Sequence, residues 1–268
     1  MTDKRVGLRR VVVDPTRQWL TAIGVAVAVG VAFFLGARLG LFLLTKPDGV
    51  AVFWPASGVA TGALIALGPR AKWPVAIGAA AATIVANLLG DRTLAGSVAF
   101  AACNAGEALL AAGLIERKFG SDFSLDRLRH VLGLLAAAVF ACAISGVGGT
   151  LGFKLFHGST APILTTWEHW LAADALGIVT FAPLLIGTGA AVRNPPSPNE
   201  AVEGALLLLA ITVLSALVVF VPRESWAHVV PIALLFPLLL WLAARCQPGV
   251  RRGSRVHRCA DNRVDDNL

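Results

Sequence analysis

Glu107 and Asp174 each sit deep inside a long apolar stretch of sequence, and Asn104 stands three positions before Glu107, on the same face of a helix. An ionisable group in hydrocarbon costs about 2.5–3.5 kcal/mol on insertion scales, so each such residue is a functional candidate by default. Two chemistries suit them. Asn104, Glu107 and Asp174 form either a polar site that accepts a proton or a ligand, or interhelical joints bonded to Asn104, a backbone carbonyl or Arg38. Glu168 and His169, between Trp167 and Trp170, read as an interfacial pair flanked by aromatic belt anchors. Asn87 lies near the end of another apolar stretch.

Other chemistry is not supported. No nucleophile–base pair, metal-ligand spacing, kinase signature or cyclase signature occurs, and the histidines fall mostly at the ends of apolar segments, so neither an enzyme nor a cofactor nor a metal is expected. The four cysteines have no C-x-x-C spacing, and Cys103 and Cys142 read as small apolar residues. The run from Gly146 to Gly152 lacks a following Lys-Ser/Thr and reads as close helix packing rather than a phosphate loop.

The elements that must hold these residues follow from composition. Of 268 residues, 56% are hydrophobic and 15% charged, and the mean hydropathy is +0.73. A soluble protein with a single core is excluded, because too few polar residues remain to cover it. A membrane-crossing helix needs about 20 mostly apolar residues, and eight segments qualify, at 18–44, 52–69, 73–90, 94–115, 131–155, 163–189, 201–221 and 228–245. The second is short and interrupted by Pro55, Ser57, Gly58, Thr61 and Gly62. The expected fold is an all-α polytopic transmembrane helix bundle of about eight spans.

Lys and Arg set the orientation, since cytoplasmic loops carry the excess. With the N-terminus inside, 18 fall on the inner side and 4 on the outer (Lys46, Arg92, Lys154 and Arg223), with Arg38 within the first span. Both termini are then cytoplasmic, behind a basic N-tail at 1–17. No cleavable signal peptide is apparent. The net charge of +7 fits positive-inside placement and attraction to anionic membrane lipid, so no nucleic acid partner is needed. Outer connections of a few residues leave no extracellular ligand-binding domain.

Several short motifs appear in register. Phe53-Trp54-Pro55-Ala56-Ser57-Gly58 is followed by Lys72-Trp73-Pro74, by Asn87, and by Asn104-Ala105-Gly106-Glu107-Ala108. The run from Trp167 to Gly177 and then Ala182-Pro183-Leu184-Leu185 complete the series. Together they resemble MASE1, the integral-membrane sensory domain of bacterial signalling proteins, over about 50–190, and more loosely to Cys246. The resemblance implies a sensory domain at 18–246 in the bacterial inner membrane. It would regulate a cytoplasmic histidine kinase or diguanylate cyclase module, or a membrane partner, with a homodimer formed through such output modules. It adds Trp54 and Asn87 to the site candidates beside Glu168 and His169. The competing readings are a small proton-coupled transporter or channel, and a nonfunctional gene remnant.

This chain carries no output module, and the polar tail at 247–268 breaks the apolar pattern with five arginines against three aspartates. Read one nucleotide later with permitted synonymous codons, Gly249 through Asp266 can spell an apolar segment opening Val-Phe-Ala-Ala-Ala. A frameshift within a longer sensor gene is therefore expected. In the nucleotide sequence beyond Arg245, the shifted frame should stay open and apolar for at least about 20 codons, a full span; an early stop would refute the frameshift.

Overall fold

A computed structural model of the protein describes residues 15–44, 49–121 and 123–220. Among these, the chain is helical throughout, with one isolated antiparallel bridge between Leu44 and Ala51. The helices are α1 (Pro15–Phe42), α2 (Pro55–Leu67), α3 (Lys72–Leu88), α4 (Leu94–Phe119), α5 (Leu128–His157), α6 (Ile163–Arg193) and α7 (Pro198–Phe220). Five segments are long and apolar enough to cross a membrane: α1, the 3-10 turn plus α3 at Pro69–Leu88, α4, α5 and α6. The protein is thus a multi-pass membrane helix bundle. The expected last span at 228–245, the N-tail to Asp14 and the tail at 247–268 lie outside the described residues.

Local chemistry sets the helix ends. Pro55 stands at the first turn of α2, where its missing N–H is harmless. Gly68 closes the helix at φ 77°, its N–H donating to Leu64 O at 2.9 Å. Thr93 Oγ1 accepts from the Gly96 N–H at 3.2 Å and caps α4. The described residues fall into two compact units, the second beginning at Arg193. In the second, Ser197 and Glu200 start α7 with a capping box in which Ser197 N donates to Glu200 Oε2 at 2.8 Å.

The second expected span is corrected. Over 52–69 the helix occupies only Pro55–Leu67, 13 residues or about 20 Å, which is too short to cross about 30 Å of hydrocarbon. Pro55 fixes its start, and the residues before it are extended. Eleven of the 13 residues are buried, so α2 is wrapped by other helices rather than by lipid. By contrast α1 is apolar on both sides. Val29, Phe33 and Ala37 face the core, while Ile23, Val27, Val31 and Leu35 are exposed on the lipid-facing side.

Small residues bring the backbones together. A Cβ on Gly177 would overlap Trp54 O, and one on Gly58 would overlap Gly177 O, so α2 and α6 pack main chain to main chain. Trp54 N donates to Ala173 O at 3.2 Å across the same contact. Gly78 in α3 meets Ala26 O of α1 in the same way. Replacing Gly177 by Ala should therefore lower the thermal midpoint of the detergent-solubilised chain, by more than the usual 1–3 kcal/mol of overpacking because backbone is in the way. Gly187→Ala, in open space, should leave it unchanged; equal effects would refute the tight α2–α6 contact.

Candidate functional site

Each side chain of the polar core is placed by the helix that carries it. Asn104 and Glu107 lie on one face of α4, Asp174 near the middle of α6, Ser57 in the first turn of α2 and Ser145 on α5. All five are buried, with Glu107 2% and Asp174 4% exposed. Ser145 Oγ donates to Glu107 Oε2 and accepts from Trp170 Nε1 at 3.1 Å, giving a relay from indole to hydroxyl to carboxyl. The Glu107 and Asp174 carboxyls face each other, with the Ser57 hydroxyl beside both. Yet Glu107 Oε1, Asp174 Oδ2 and Ser57 Oγ make no hydrogen bond of ordinary geometry. Two ionised carboxylates in contact would repel strongly in a low dielectric.

Asn104 Nδ2 reaches Thr83 Oγ1 only at 3.5 Å, and its Oδ1 has no partner. Thr83 and Asn87 are also buried; Asn87 Nδ2 donates to Thr83 O at 2.8 Å. The structure thus brings Asn104, Glu107 and Asp174 together; Asn104 and Asp174, but not Glu107, line one cleft with Trp54 and Asn87. Glu168, which is exposed, and His169, which is half-buried, are not among the residues lining that cleft.

Two expectations are corrected. Arg38 does not pair with Glu107: its Nη1 donates to Leu89 O at 3.3 Å and its guanidinium lies 5.6 Å from the Phe42 ring. Trp170 is no belt anchor. It is buried against Phe100 and Phe153, with its indole seated on Gly149. Trp167 Nε1 donates to Ala143 O at 2.9 Å.

Reading the sequence missed Ser145, Thr83 and Arg92. Ser145 was visible as a lone hydroxyl in an apolar span, but nothing in α5 alone says that it faces α4. Arg92 stands in the turn between α3 and α4 and counted only as a loop charge. There its Nη2 donates to Gly49 O at 2.9 Å, and its guanidinium lies over the Phe100 and Phe153 rings at 5.3 and 4.9 Å. Burial lowers its pKa to about 10, so it remains a cation at neutral pH.

At the other end of the bundle Lys72 pairs with Glu116 at 2.7 Å. His130 Nδ1 lies 2.6 Å from Ser124 O, among Phe119 and Phe123. Among the described residues no group of three His, Cys, Asp or Glu side chains is arranged to hold a metal ion.

Ser145→Ala removes the hydroxyl that donates to Glu107 Oε2. It should destabilise the bundle by about 1–3 kcal/mol, read as a lowered thermal midpoint. Thr212→Ala, whose hydroxyl only bonds back to Leu208 O at 2.8 Å on an exposed face, should have no such effect.

The family model for MASE1 matches residues 25–251, most of the chain. No curated protein and no solved structure gave a match. The match spans every helix that contributes to the carboxyl pair and its surroundings. The chain belongs to the MASE1 family of membrane-associated sensory domains.

Proposed function

We propose that the chain is the signal-input part of a bacterial inner-membrane sensor, with Asn104, Glu107 and Asp174 as its sensory core. The observation that carries this reading is the Glu107–Asp174 contact between α4 and α6. A carboxyl pair in contact is bistable: adding or removing a proton, or inserting a hydrogen-bonding group, changes the force between the two helices. Both helices run on to the basic end of the bundle, at Phe119 and Arg193. A shift between them there biases a kinase or cyclase module outside these 268 residues. In this reading the chain makes about eight passes, the short α2 completing one together with the extended residues before Pro55, both termini are cytoplasmic, and the output modules dimerise.

The short, buried α2, whose Ser57 and Thr61 hydroxyls lack partners, also suits a proton-coupled transporter, where broken helices line a mid-membrane site. A cyclase module joined after Cys246 separates the two. Glu107→Gln and Asp174→Asn should each change cyclic-di-GMP output at least about threefold at equal membrane levels, with no solute uptake into proteoliposomes. Unchanged output would remove the sensory assignment, and uptake lost in the same variants would favour transport. Alkaline phosphatase joined after Arg92 should be active, and after Arg127 inactive; the reverse pattern would overturn the orientation.

A further inference from the structure

The cleft beside the carboxyl pair carries more chemistry than a proton switch uses. It lies between the ends of the helices farthest from Lys72 and Glu116 and is open on one side. Trp54, Asn104 and Asp174 line it, each more than nine-tenths buried, and each holds an atom with no partner. Trp54 Nε1 is a donor, whereas Asn104 Oδ1 and Asp174 Oδ2 are acceptors. Arg92 lines the same cleft, and no carboxylate among the described residues pairs with it. A buried polar atom left unpaired is costly, and here unpaired donors and acceptors share one space.

We propose that this cleft binds a small zwitterion bearing a primary ammonium and a carboxylate, the chemistry of an amino acid. Its carboxylate would meet Arg92 and Trp54 Nε1, and its ammonium Asp174 Oδ2 and Asn104 Oδ1. The assignment rests on reading the polar core as the sensory element, and it names what that element recognises. A ligand without net charge also suits it, because it enters without adding an unpaired charge to the buried cleft. A simple carboxylate leaves both acceptors unmet, and a simple amine leaves Arg92 and Trp54 unmet. A quaternary ammonium such as betaine offers the acceptors no N–H. Phe100, Phe153 and Trp170 supply apolar walls for the rest of the molecule.

The test is thermal unfolding of the full chain in lipid nanodiscs with the twenty L-amino acids, β-alanine and γ-aminobutyrate, one at a time at about 10 mM. Propionate, propylamine and glycine betaine serve as the incomplete ligands. At least one amino acid should raise the midpoint by about 3 °C or more, and the three incomplete ligands should not. Arg92→Gln and Asp174→Asn should abolish the shift. Trp54→Phe, which removes a single donor and keeps the ring, should weaken binding about tenfold by equilibrium dialysis even if the other variants do not fold. No shift with any amino acid, an equal shift with an incomplete ligand, or undiminished binding in Trp54→Phe would overturn the assignment. If no amino acid binds while Glu107→Gln still alters cyclase output, the ligand class fails and the sensory core stands. If an amino acid binds and output ignores both carboxyl substitutions, the cleft stands and the sensory role fails.

Discussion

Two carboxyl groups facing each other inside hydrocarbon are the constraint around which this bundle is built. Glu107 and Asp174 are tolerable there only with nearby polar groups, and each helix around them supplies one. Ser145 of α5 donates to Glu107 and is itself held by the Trp170 indole. Ser57 of α2 comes into reach because Gly58 and Gly177 let two backbones touch. Thr83 of α3 holds Asn87 and approaches Asn104. Small residues and polar residues therefore have one purpose between them, since without the close approach the polar partners would not meet.

The shortness of α2 follows from the same constraint. A full-length span at this position would put Trp54 and the residues before it into helix. Instead Pro55 starts the helix, the preceding extended segment lets Trp54 N bond to Ala173 O, and Trp54 falls beside Asp174 at the cleft. Such irregular backbone is tolerated at membrane depth because protein rather than lipid surrounds it. The 13 residues of α2 are apolar enough to pass for membrane-facing sequence, yet their environment is the interior of the bundle.

These relations explain which features were legible beforehand. Helical spacing along one chain segment paired Asn104 with Glu107, and the cost of charge in lipid singled out Asp174. Length and hydropathy located α1, α4, α5 and α6 to within a few residues. Contacts between helices left no such mark. Nothing in the order of residues says that Ser145 rather than Arg38 meets Glu107, because that depends on how α5 is rotated against α4. Trp170 could sit equally well at a lipid interface or in a core. Its place was decided by Gly149, 21 positions away, whose missing side chain makes room for the indole. Arg92 was read as one more loop charge because charge counting ignores what a loop folds over.

Arg92 and the carboxyl pair also bound what this site does on physical grounds. A cation held over aromatic rings in the cleft opposes entry of other cations, while the acceptor Asp174 Oδ2 on its wall disfavours anions. Neither a simple cation nor a simple anion meets a favourable field along the whole cleft, whereas a molecule with both charges, oriented one way round, does. Its binding would place an ammonium next to Asp174 and change the force between the two carboxyls. Ligand recognition and the force between α4 and α6 then become one event, and the link between the cleft and the far ends of those helices is the pair of helices themselves.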